Sequence, residues 1–157
     1  MADTPAPEWW FYHLSRTGLE QAAPPLMQKC LEAGWRVLAV SPDVNRRAQL
    51  DKALWTYDKS AFLPHGDADA PGLEASRQPI LLSAKLDNVN DAKALVLMDG
   101  VEAPVDAAFT RCMVMFEDQN GQARSTARKQ FKAAKDAGLS CRYFQQTESG
   151  SWKEAGT

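Results

Sequence analysis

Arginine and lysine recur at four-residue spacing late in the chain, at Arg124, Arg128 and Lys132. On a helix such positions stack along one face, and Phe131, three residues after Arg128, lies beside that stripe rather than opposite it. The chemistry open to this constellation is anion recognition. Guanidinium groups pair with carboxylates through parallel hydrogen bonds while an aromatic ring lodges an apolar side chain next to them, which describes a site for an anionic, partly apolar peptide. The plainer account of the same spacing is a solvated cationic face with Phe131 in the core. Long nucleic acid suits the stripe poorly. A few cations on one short helix reach only a few phosphates, and base-stacking platforms set several aromatics on a sheet surface.

A second cluster joins Leu54-Trp55-Thr56-Tyr57 to Ala61-Phe62-Leu63-Pro64-His65. Large apolar residues at a helix end and in the loop after it form either a satellite of the core or a hydrophobic docking patch. Residue type alone favours the core, and His65 by itself carries no catalytic signal.

Enzymatic signatures are missing. No GxGxxG follows the first predicted strand, where His13-Leu14-Ser15-Arg16-Thr17-Gly18 stands, and neither GxxxxGK[ST] nor GxSxG occurs. Asp43, Asp99, Glu117 and Asp118 fall near predicted strand ends, where turn preference explains acidic residues. Cys30, Cys112 and Cys141 are widely spaced in apolar or helical contexts, the pattern of buried inert thiols in a reduced cytoplasm. His13 and His65 are the only histidines, so metal ligation has few candidates, and no cofactor is expected.

These residues need elements to position them. Trp9 to Leu14 reads as a first strand and Leu19 to Ala33 as a helix stopped by Gly34, its regular part starting near Pro25 because interior prolines remove hydrogen bonds. Trp35 to Val40 has the apolar run of a strand buried on both faces, and Pro42 to Trp55 the stripe of a second helix. His65 to Gln78, rich in Gly, Asp, Pro and Ala, reads as a surface loop. Strands are predicted at Ile80 to Ala84, Ala94 to Met98, Arg111 to Phe116 and Leu139 to Gln146. A short helix is predicted at Val105 to Phe109 and the clearest helix at Gln122 to Ala137. Strands separated by helices predict one three-layer α/β domain with a largely parallel or mixed central sheet over 8–153, after a flexible leader over 1–7.

Composition sets the outer bounds. A chain of 157 residues is long enough for one hydrophobic core, and 45% hydrophobic with 24% charged residues is ordinary for globular proteins. A formal charge of −2 disfavours direct DNA binding as the main activity, although the basic residues from Arg124 to Lys135 still allow one basic face. No apolar run reaches the roughly 18 residues of a membrane span.

Four segments in order resemble the chi subunit family of bacterial DNA polymerase III: Phe11-Tyr12-His13-Leu14, then Ala33-Gly34-Trp35-Arg36-Val37-Leu38, then Asp51-Lys52-Ala53-Leu54-Trp55 with Phe62-Leu63-Pro64-His65, and last Ala127-Arg128-Lys129-Gln130-Phe131-Lys132 with Ala137-Gly138. The likeness runs from about Trp10 to Trp152. It implies a Rossmann-like fold without catalysis, an accessory to the clamp loader in DNA replication, with DNA reached indirectly through its partners. By position, Arg128 would pair with the terminal carboxylate of the acidic, phenylalanine-ended tail of single-stranded DNA-binding protein. Arg124 and Lys132 would meet its acidic residues, and Phe131 would wall the pocket for its last ring. Trp55, Phe62, Leu63, Pro64 and His65 would bind the psi subunit or a substitute such as a helicase-like protein. Two departures stand out: an acidic Gly66-Asp67-Ala68-Asp69 replaces part of a basic, serine-rich loop, and Asn120-Gly121 replaces bulkier residues near the tail pocket. The rival from another class is an α/β enzyme acting on a nucleotide or phosphorylated metabolite, with the basic helix as its anion site. A third reading is direct binding of single-stranded DNA.

Overall fold

The computed structural model describes residues 6–57 and 63–155. In chain order these form β1 (Glu8–Leu14), α1 (Leu19–Glu32), β2 (Val37–Val40), α2 (Val44–Thr56), β3 (His65–Asp67), β4 (Ile80–Ser83), β5 (Ala94–Leu97), β6 (Arg111–Glu117), α3 (Gly121–Asp136), β7 (Cys141–Gln146) and β8 (Trp152–Glu154). All eight strands join one sheet in the order β3-β4-β2-β5-β6-β1-β7-β8. Every pairing is parallel except that of β7 with β8. The expected three-layer α/β architecture with a largely parallel sheet is the one observed.

The layers follow from strand alternation. Tyr12, Leu14, Val37, Ala39, Val96, Met113 and Met115 face α1 and α2, whereas Trp9, Phe11, Leu38, Val40, Leu95, Cys112, Val114 and Phe116 face α3. Both faces of the inner strands are buried, so these strands carry unbroken apolar runs. Successive right-handed crossovers explain the helix placement. From β1 the chain moves through α1 toward β2 on one side of the sheet, and from β6 it crosses back over β1 to β7 through α3, so the helices fall on opposite faces.

Several expectations need correction. Helix α1 is regular from Leu19 despite Pro24 and Pro25. The carbonyls those prolines leave without donors belong to Glu20 and Gln21, neither of which is buried, while Pro24 packs into the core. Strand β2 starts at Val37 because the stop of α1 takes the preceding residues: Gly34 has φ +83°, and the Trp35 N–H donates to the Cys30 carbonyl at 2.9 Å. His65–Asp67, expected as loop, is an edge strand on β4. Val105 to Phe109 is not helical. The segment lies on the α3 side, where the Trp9 indole donates to the Val105 carbonyl at 3.1 Å and Phe109 is buried. Strand β8 was not anticipated, since three residues of mixed polarity carry no periodic signal. Of the leader, residues 1–5 lie outside the described residues, and Pro7 is buried against the start of β1.

Candidate functional site

The stripe helix is set on the sheet by small residues. Ala123, Ala127 and Ala134 are buried and let α3 approach β1, β6 and β7 closely, while Gln130 accepts from the Ala103 N–H at 3.1 Å. Asn120 caps the helix, its Oδ1 accepting from the Ala123 N–H at 3.1 Å. A bulky apolar side chain at this position could not supply that cap.

Between α3 and the C-terminal ends of the strands lies a pocket of about 380 Å³. Its floor is Phe116 on β6 and His13 on β1, stacked at 4.8 Å, and its walls are Phe131, Tyr143 and Ala127. Arg124 and Arg128 stand at its edge. Phe131 is half-buried, meeting Phe11 at 5.1 Å and Tyr143 at 6.2 Å, so it supports the core and lines the pocket at once. Lys132 is not part of this lining; it sits one turn further along, exposed and paired with Asp136 at 3.0 Å. The residues that sequence reasoning missed are His13, Phe116 and Tyr143. His13 and Phe116 are register partners on adjacent parallel strands, and the signal available was their position at strand C-termini, where α/β sheets open.

A polar chain crosses the pocket. Asp118, accepting through Oδ1, lies 2.7 Å from His13 Nε2, so that nitrogen carries the hydrogen, and the ring's Nδ1 lies 2.9 Å from the Tyr143 hydroxyl. Burial raises the Tyr143 phenol above its ordinary value, opposed by Arg128 and reinforced by Asp118, so the hydroxyl keeps its proton. Arg124 leans on Asp118, 3.7 Å from its carboxylate. Arg128 is exposed and forms no ion pair with another described residue. The arrangement can receive an apolar ring on an aromatic floor with an anion at the rim.

The second cluster divides. Leu63 is buried in the α1-side core and the His65 side chain is fully buried, Nδ1 donating to the Leu63 carbonyl at 2.7 Å. Trp55 is 62% exposed and meets the His65 ring edge-on at 4.8 Å, with Pro64 half-buried nearby in sequence. Phe62 lies outside the described residues.

At the sheet's other C-terminal opening the fold has filled the places where a nucleotide would sit. The N–H groups of Ser15, Arg16 and Thr17, in the turn between β1 and α1, all donate to Gln146 Oε1 at 3.0, 2.8 and 3.1 Å. A phosphate would use such converging donors. The first N–H of α1, on Leu19, meets Glu117 Oε2 at 3.3 Å. Next to it Arg46 binds Asp99 at 3.2 Å and Glu117 at 2.6 Å, and Ser41 donates to Asp99 at 2.6 Å. Burial acts to lower the Arg46 pKa, but hydrogen bonds and charge from Asp99 and Glu117 outweigh it and raise it. Arg47, only 3% exposed, binds Asp67 and Asp69 at 3.0 Å each and the Ser41 carbonyl at 2.7 Å. Asp67 and Asp69 are thus the counter-charges of Arg47.

Cys30 and Cys112 offer no nucleophile. Burial pushes Cys30 up to about 11 and Cys112 up to about 12, so neither is thiolate near neutrality. Unfolded thiols ionise at about 8.5, so above that pH the unfolded state sheds protons that the folded state keeps, and stability falls as pH rises toward these values. Urea midpoints are expected to drop between about pH 8 and about pH 10.5. A thiol reagent at neutral pH is expected to label Cys30 and Cys112 only after denaturation; fast labelling of either in the native protein would contradict the burial argument.

Among the described residues no three His, Cys, Asp or Glu side chains cluster to hold a metal, and no helix is long and apolar enough to cross a membrane. Comparison with known proteins gives one consistent result. The family described as DNA polymerase III chi subunit, HolC, matches residues 7–142. A probable DNA polymerase III subunit chi from Rickettsia prowazekii (strain Madrid E) is 33% identical over 97 residues, 62% of this chain and 55% of the relative. The aligned stretch therefore spans about half the length of that relative.

Proposed function

This chain belongs to the DNA polymerase III chi subunit family, and from that premise we propose that it is a non-catalytic adaptor that holds the acidic C-terminal tail of single-stranded DNA-binding protein. The observation that carries the reading is Arg128, exposed and without an ionic partner among the described residues, at the rim of an aromatic pocket. In this reading the tail's last ring lies on His13 and Phe116 between Phe131 and Tyr143. Its terminal carboxylate meets Arg128, and its acidic residues meet Arg124 and, further along the helix, Lys132. A pocket of about 380 Å³ suits one aromatic side chain and its neighbours; it lies near the lower end of the roughly 300–1,000 Å³ range of ligand sites.

A peptide ending in Asp-Ile-Pro-Phe is expected to bind with roughly micromolar, salt-sensitive affinity. The same peptide with its C-terminus amidated loses the charge that Arg128 would read and is expected to bind about ten-fold or more weakly. Equal affinity of the two forms in titration calorimetry would remove Arg128 from the carboxylate role.

The second half of the proposal is a link from the tail-bound protein to the clamp loader through psi or a helicase-like substitute, in the cytoplasm. Its support is the exposure of Trp55 beside His65, on the α2 side of the sheet and away from the tail pocket. Trp55→Ala is expected to abolish co-purification of that partner while leaving the urea midpoint and peptide binding unchanged. A lowered midpoint would return the cluster to the core. Phe62→Ala tests the neighbouring position in the same way.

A further inference from the structure

On the face of the sheet opposite the tail pocket, no helix among the described residues covers the outer strands. Helix α1 packs on β2 and β6, and α3 lies on the other side. Alternation brings Trp10, Phe144 and Trp152 to this uncovered face, where Trp10 and Phe144 lie 5.4 Å apart and Trp152 meets Tyr12 edge-on at 5.1 Å. With Trp35 they line a pocket of about 300 Å³. Trp10, Trp35, Phe144 and Trp152 are all half-buried.

Arginine side chains lie over these rings. The Arg111 guanidinium is 3.6 Å from the centre of the Trp10 ring and 5.0 Å from that of Trp35, and Arg142 is 4.7 Å from Trp10 and 5.2 Å from Phe144. Lys29 also lines the pocket. Against these three cations stand two acids, Glu8 on Arg111 at 3.2 Å and Glu154 on Arg142 at 2.6 Å, leaving one positive charge in excess. The Trp10 indole nitrogen is buried with no acceptor among the described residues.

We propose that this aromatic face binds a short stretch of single-stranded nucleic acid, unpaired bases stacking on the Trp and Arg planes and a neighbouring phosphate meeting Lys29. Aromatic side chains on an open sheet surface, bordered by arginines, are what an unpaired base requires. An apolar helix fits less well, because it would take Arg111, Arg142 and their carboxylate partners out of water without a new partner. The small excess of positive charge agrees with the nearly neutral chain: affinity comes from stacking over a few nucleotides, with few phosphates neutralised.

Three of the five tryptophans line this pocket, so intrinsic fluorescence reports on it directly. Titration with an oligothymidylate of about 12 nucleotides is expected to quench the emission saturably, with a shallow salt dependence of about one ion released. A duplex of the same length is expected to quench little. Trp152→Ala and Arg142→Ala are each expected to weaken oligonucleotide binding by about ten-fold. Trp152→Phe, which keeps a ring on β8, retains most of it. Arg128→Ala leaves it unchanged, and Trp152→Ala leaves the acidic peptide's affinity unchanged, so this inference and the tail reading fail separately. Absence of quenching, oligonucleotide binding insensitive to both Trp152→Ala and Arg142→Ala, equal losses in Trp152→Phe and Trp152→Ala, loss of oligonucleotide binding in Arg128→Ala, or Trp152-dependent binding of the acidic peptide would each overturn it.

Discussion

Arg128→Ala is expected to lower affinity for a peptide ending in Asp-Ile-Pro-Phe by about 1.5–3 kcal/mol, the usual range for hydrogen bonds to a charged group. The loss would appear in calorimetry as a roughly ten- to hundred-fold rise in Kd. The neighbouring cations set the comparison. Arg124 already leans on Asp118, and Lys132 is highly exposed and paired with Asp136, so each shares its charge before any ligand arrives. Alanine at either is expected to cost no more than about 1 kcal/mol, as for exposed ion pairs. A flat response across the three substitutions would mean that general attraction to a basic face, and not a carboxylate site at Arg128, holds the peptide. Arg128 is solvent-exposed, so the substitution leaves the fold intact and the readout isolates binding.

The largest effect on stability is expected at Arg46. Its replacement by methionine would leave Asp99 and Glu117, whose side chains are only 13% and 17% exposed, without the cation between them. Breaking a buried pair by removing one partner costs about 3–5 kcal/mol, a large part of the roughly 5–15 kcal/mol that holds a domain folded. Urea unfolding should register this as a strongly lowered midpoint. The triple variant with Asp99→Asn and Glu117→Gln is expected to recover much of the loss, because the one carboxylate still deprived of Arg46 is Glu20, whose side chain is 39% exposed. If the single variant were as stable as the parent, the cluster would have no structural role, and the C-terminal opening it occupies would regain interest as a ligand site.

The limits of sequence reading have physical causes. Short apolar runs such as Leu95-Val96-Leu97 read as strands buried on both faces, and the alternation of Tyr12 with Phe11 puts the two in different layers. Arg124, Arg128 and Phe131 share a helix, so a 3.6-residue period was enough to bring them together. His13, Phe116 and Tyr143 meet only through strand register, across separations that no local period encodes. The edge strands β3 and β8 are three residues each and take their conformation from the neighbour they pair with. Pro24 and Pro25 misled in the opposite direction: their local cost is real, but the packing of α1 on the sheet overrides it.

Strand β1 lies between β6 and β7, and the turn that follows it is completed by Gln146. Strand β1 therefore has no neighbour until Arg111–Glu117 has been made, and gains its second only with Cys141–Gln146. Such non-local pairing slows folding, because loop closure precedes its reward. The β2, β4 and β5 segment can pair among itself earlier, whereas the pocket carrying Arg128 combines His13, Phe116, α3 and Tyr143 and cannot form before Tyr143 is in place. Partner capture is then also a test of completion: a nascent or C-terminally clipped chain can hold much of its sheet and still present no pocket to a partner.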